Sequence, residues 1–169
     1  MAIGSVLFAW SGLYNIAASQ GHWAIVERMA HWQAGWYMFL DHPWLGVGAG
    51  NYPDAYPNYY VGQWVQALGH AHNYYLNMLA ELGVVGGAVL LFTLAATFRE
   101  LASVLLRSQR QARGFWRAVL AGCVGGLVVF CVHNLFDSLF VHSVNIQIGV
   151  LIGLGLLAAD QLRGRMEPV

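Results

Sequence analysis

The chain has 169 residues, of which 9% are charged and 58% hydrophobic, with zero formal net charge and no Lys. Soluble domains carry roughly 25% charged residues, so an ordinary soluble domain is excluded. No basic face is available for a nucleic-acid partner, and the length suits a single domain. An all-α integral membrane bundle is the class that remains.

Residues 1–19 carry no charge. Nineteen helical residues rise about 28 Å, close to the roughly 30 Å hydrocarbon core. Ala17-Ala18-Ser19 resembles a signal-peptide cleavage site, but a signal peptide needs a basic start, so a membrane helix is expected. Residues 20–40 change character, with His22, Trp23, Glu27, Arg28, His31, Trp32, Trp36 and Tyr37. No Gly or Pro interrupts residues 23–34, and helical spacing puts Arg28, Trp32 and Trp36 on one face. Residues 41–71 read as a loop with short helices at most, broken by Pro43, Pro53 and Pro57. Its Gly-x-Gly-x-Gly run (Gly46, Gly48, Gly50) is weak as a nucleotide motif, because no βαβ unit surrounds it. Glycines there allow tight turns and close approach of backbone to a ligand. All eight Tyr lie between Tyr14 and Tyr75, and six of the seven Trp lie at or before Trp64. Such aromatics form an interfacial belt or a surface for stacking sugar rings.

From Asn73 to Phe98 one long helix is predicted, amphipathic first and embedded later, with Arg99-Glu100 marking the membrane exit. The next segment holds Arg99, Arg107, Arg110, Arg113 and Arg117 against Glu100 alone. Five Arg in a short loop predict a cytoplasmic location. Four membrane helices follow, at about 1–19, 83–98, 115–136 and 139–159, within one membrane domain of residues 1–169. Arg163 and Arg165 place the tail in the cytoplasm. The loop of residues 20–82 then lies outside, with the ends carrying Asp137 and His142 on that same side. Cys123 and Cys131, about 12 Å apart along one helix, are too distant to bridge.

The stretch His70-Ala71-His72-Asn73 stands where the polar loop enters the long helix. Titratable and amide groups at such a boundary are costly to place, which favours a functional reading. His70 and His72, with Asp41 or Asp137, are the start of a metal site, but the spacing supplies no evident third and fourth ligand.

These residues carry a resemblance. Arg28 with Trp32, then His42-Pro43-Trp44-Leu45-Gly46-Val47-Gly48-Ala49-Gly50-Asn51-Tyr52, then His70-Ala71-His72-Asn73-Tyr74-Tyr75-Leu76 through Glu81 and Gly83, resemble the O-antigen ligase and polymerase family of bacterial membrane proteins. The match covers roughly residues 25–90. The resemblance implies a metal-free and cofactor-free glycosyltransferase of the cytoplasmic membrane, with its site on the outer face. Its donor would be a polyprenyl-pyrophosphate-linked glycan, and its acceptor a hydroxyl of a glycan, lipid or protein. Family members have about a dozen membrane helices, so the chain is expected to correspond to the C-terminal part. A non-catalytic membrane fragment or subunit, or a transporter-like protein, is the alternative.

Glycosyl transfer needs a base for the acceptor hydroxyl and a cation for the departing pyrophosphate. Histidine titrates near neutrality and suits the first task. The guanidinium of Arg28 stays charged and grips phosphate oxygens in a bidentate way. His72 also precedes a helix start, where N–H groups and the dipole favour an anion. The expected catalytic residues are His72, His70 and Arg28. Arg28, Asn73, Gly48, Gly50, Asn51 and Asp137 are the expected substrate contacts. Glu81 is expected to meet Asn77 one helical turn earlier.

Overall fold

The computed structural model describes residue 12 and residues 15–108, 114–138 and 144–164. Most of the expected membrane helix at 1–19 falls outside these residues, as do Arg110, Arg113, His142 and Arg165. Among the described residues there is no strand. The longer elements are α1 (Trp23–Asp41), α2 (Tyr52–Ala55), a 3₁₀ turn (Tyr56–Asn58), α3 (Tyr74–Arg107), α4 (Phe115–His133) and α5 (Val144–Arg163). Three of them, α3, α4 and α5, are long and apolar enough to cross a membrane. The chain divides into two compact units, Met1–Gly87 and Ala88–Val169.

In the first unit, α1 buries Val26, Ala30, Ala34 and Met38 at a spacing of four, with His31 on the same side. The His42 N–H closes the last turn on the Met38 carbonyl, and Pro43 follows. Pro53 and Pro57 occupy the first turns of α2 and the 3₁₀ turn, the one helical place that tolerates a missing N–H. Tyr52 and Tyr56 are thereby turned inward, fully buried with Ala34, Met38, Ala71 and Ala80.

In the second unit, Leu101, Val104, Leu120, Leu127, Ala158, Ala159 and Leu162 form the core. α3 runs about two turns past Arg99, where the membrane exit is expected, because Leu101 and Val104 continue its apolar face into this core. A Cβ on Gly155 would lie 3.0 Å from Leu101 Cδ1 and 3.3 Å from Cys123 Cβ, so the missing side chain permits the close approach. Phe92, Val129 and Val150 are 75%, 68% and 65% exposed. That much apolar surface suits lipid contact rather than water. Cys123 and Cys131 both lie on α4 and are not joined in a disulfide.

Candidate functional site

The glycine-rich loop is spliced into a break in α3. Gly83 has φ +62° and ψ −161°, so the helical ladder is interrupted there. Four backbone groups that would have paired within the helix pair with the loop instead. Val84 and Val85 N–H donate to the carbonyls of Pro43 (2.8 Å) and Trp44 (3.3 Å). In return the Ala80 and Glu81 carbonyls accept from Val47 and Gly48 N–H, both at 2.9 Å. The exchange brings backbone onto backbone. A Cβ on Gly46 would lie 2.2 Å from the Glu81 carbonyl carbon, and one on Gly83 would lie 2.4 Å from that of Trp44.

The Glu81 carboxylate completes the splice. Its Oε2 accepts the Gly50 N–H at 2.9 Å and its Oε1 accepts the Tyr52 N–H at 3.3 Å. This replaces the expected meeting with Asn77, whose Oδ1 instead accepts the buried Ala71 N–H at 3.0 Å. Two N–H groups at the start of α2 offer a carboxylate more than one exposed amide does. Gly48 and Asn51 also have internal partners. Asn51 Nδ2 donates to the Val47 carbonyl at 3.1 Å, and a Cβ on Gly48 would sit 2.6 Å from that nitrogen.

The histidine turn is built by the same means. His72 has φ +51°, a left-handed conformation that costs a non-glycine residue about 1–2 kcal/mol. Three contacts hold it. Trp32 Nε1 donates to the His72 carbonyl at 3.0 Å. Asn77 holds Ala71 on one side. On the other, Asn73 Oδ1 accepts the Leu76 N–H at 3.0 Å and caps α3. Asn73, expected to contact substrate, is thus engaged in starting the helix. His70 and His72 lie ring to ring, with centroids 4.5 Å apart.

A third histidine joins them from α1. His31 is fully buried, its ring stacked on Tyr56 at 4.7 Å and edge-on to His72 at 5.6 Å. Tyr52 Oη donates to the His31 carbonyl at 3.1 Å and lies 3.2 Å from His31 Nδ1. With the hydroxyl proton assigned to the carbonyl, the oxygen accepts from Nδ1–H. In this assignment His31 carries its proton on Nδ1, and Nε2 is the lone pair. Burial, then the neighbouring charges of His72 and His70, lower its pKa to about 4. Burial, then Glu27, pushes Tyr56 up to about 12. Nothing in the sequence reading singled out His31. The available signal was its register: it lies three and seven residues before Ala34 and Met38, on the buried face of α1.

The expected site residues thus divide. His70 and His72 share one turn, and α1 reaches it through Trp32, with Arg28 one turn earlier on the same face. Gly48, Gly50 and Asn51 belong to the splice. Asp137 lies in the second unit, where its Oδ1 accepts the Ser138 N–H at 2.8 Å.

No curated protein matches the chain. A family model described as O-antigen ligase matches residues 1–91, which contain α1, the splice and the whole histidine turn. With more than half of its length matched and three apolar helices long enough to span a bilayer, the chain belongs to the O-antigen ligase family of membrane proteins.

Proposed function

We propose that the first unit carries the site of a glycosyltransferase that moves a glycan from a polyprenyl-pyrophosphate carrier to an acceptor hydroxyl. The carrying observation is the Trp32–His72 hydrogen bond, which ties the Arg28 face of α1 to the histidine turn. His72 takes the acceptor proton as general base. Arg28 binds the pyrophosphate and offsets the charge that develops as it leaves. His70, ring to ring with His72, orients the base or the sugar. Asn73 acts through the helix start that it caps. Gly48, Gly50 and Asn51 shape the wall of the site. In this reading the site faces the outer side of the cytoplasmic membrane, and the arginine-rich segment after α3 faces the cytoplasm.

The test is glycan transfer per inserted molecule from a polyprenyl-pyrophosphate donor. His72→Ala is expected to lose roughly 100- to 10,000-fold, the usual worth of a general base. Arg28→Lys keeps the charge but not the planar two-donor grip. It is expected to lose on the order of 2–4 kcal/mol of barrier stabilisation, roughly 30- to 1,000-fold in rate. Wild-type turnover by both variants at equal abundance overturns the assignment. Orientation is tested with Tyr60→Cys and Arg107→Cys in a background of Cys123→Ala and Cys131→Ala. An impermeant thiol reagent should label position 60 in intact spheroplasts, and position 107 only after permeabilisation; the reverse pattern inverts the topology.

A further inference from the structure

The buried histidine of α1 has a lone pair with nothing to do. His31 Nε2 is buried and has no hydrogen-bond partner among the described residues, whereas the other end of the same ring is held by Tyr52. A buried acceptor without a partner costs free energy, so it persists where a neighbour uses it in another state of the site. Its neighbours narrow the choice. Tyr56 is stacked on the face of the ring, and its own hydroxyl donates to the Trp64 carbonyl at 2.7 Å. Tyr52 holds Nδ1. His72 meets the ring edge-on, at 73° between planes and 5.6 Å between centroids. That is close to the separation at which one imidazole N–H reaches the lone pair of another.

We propose that His31 is the positioning residue of the base: its Nε2 accepts an N–H of the His72 ring while His72 holds the proton of the acceptor hydroxyl. This rests on the reading of His72 as base. The acceptor O–H proton moves to one nitrogen of His72. The new glycosidic C–O bond forms as the sugar–phosphate C–O bond breaks, and that electron pair leaves on the pyrophosphate. The other ring nitrogen of His72 carries the hydrogen that points at His31. His31 itself neither gains nor loses a proton.

Three features fit this role. Tyr52 engages Nδ1, and with its hydroxyl proton on the His31 carbonyl it favours the tautomer whose lone pair is on Nε2. Trp32 and Asn77 fix the turn, so the His72 ring is presented from a constant backbone. The depressed basicity of His31 keeps it from competing for the proton. The titratable groups around it are Glu27 and Arg28 one turn back on α1, Tyr52 and Tyr56 from the following turns, and His70 and His72.

The test uses two substitutions that part the ring's two ends. In His31→Gln the amide oxygen can reproduce the acceptor at the ε position. In His31→Asn only the δ position, facing Tyr52, is retained. The protein in its native membrane should lose kcat roughly tenfold to a hundredfold in His31→Asn, the worth of one hydrogen bond to a charged group. KM should stay unchanged, and His31→Gln should recover most of the rate. In a His72→Ala background His31→Asn should cost nothing further, because the residue acts through His72. Equal rates for the Gln and Asn variants overturn the proposal, since a purely structural histidine depends on the Tyr52 contact that Asn preserves better. An additive loss in the double variant overturns it too. Failure of the underlying reading is separate: there His72→Ala alone turns over at the wild-type rate.

Discussion

The two units of this chain are held in their folds by different means. In the first, order depends on directed hydrogen bonds between residues distant in sequence. Trp32 reaches His72 across 40 residues, Gly50 reaches Glu81 across 31, and Tyr52 reaches His31 across 21. In the second, leucines, alanines and glycines pack helix on helix, and the buried Ser108 and Asn134 donate to carbonyls only three and four residues away. The contrast follows solvent and task. Helices satisfy their own backbone and need only shape to associate in a bilayer. An irregular segment has no such ladder, so each buried N–H must find a named partner. A site that positions a base and an anion ligand needs the irregular kind.

Three substitutions break or sharpen that contrast. The largest effect is expected at the splice. Gly83→Val places a Cβ 2.4 Å from the Trp44 carbonyl carbon in a left-handed conformation, and neither backbone can yield without losing the exchanged bonds. We expect more than about 4 kcal/mol of destabilisation, the range reserved for overpacking and backbone conflict. It would be read as loss of the folded protein in detergent on heating. A melting temperature within a degree of wild type would refute it.

The other two apply one chemical change, carboxylate to amide, in each unit. Glu81→Gln keeps a single acceptor and sets an NH₂ against an N–H, so one of the Gly50 and Tyr52 donors loses its partner. The expected cost is about 1–3 kcal/mol, with transfer activity falling further than stability because the loop and the turn share α3. Glu100→Gln removes the carboxylate paired with Arg163 in the second unit. Both side chains there are well exposed, so we expect less than about 1 kcal/mol, seen as an unchanged melting curve. Equal costs for the two substitutions would erase the distinction between the units.

Several local features of the first unit are legible in the sequence, and those that are not share a cause. The long helix predicted from Asn73 begins at Tyr74, and Asn73 is its cap. Arg28 and Trp32 shared a face by spacing alone. The all-helical, membrane-spanning class followed from composition and is the class observed. The roles of Gly46, Gly83 and Glu81 were not legible, because their partners lie some 30 residues away and leave no periodic trace. Glycine in a loop reads as room for a ligand, whereas here it makes room for the chain's own backbone. His31 was passed over for a related reason. A histidine on a helix face looks like an interfacial residue until Tyr52 arrives to claim one of its nitrogens.

The break at Gly83 also bears on why this helix bends at glycine and not at proline. α3 contains no proline. A proline at 84 or 85 would interrupt the ladder equally well, but it would delete the very N–H that Pro43 or Trp44 receives. Such a bend leaves a carbonyl stranded and hands nothing to a passing segment. Glycine opens the helix while keeping both the donors and the acceptors of the gap, so a second strand of chain can lie across it as a guest. Near a bilayer, where water is scarce, that is the difference between a defect and a socket. The motif spelled by the glycine-rich loop is the plug cut to fit it.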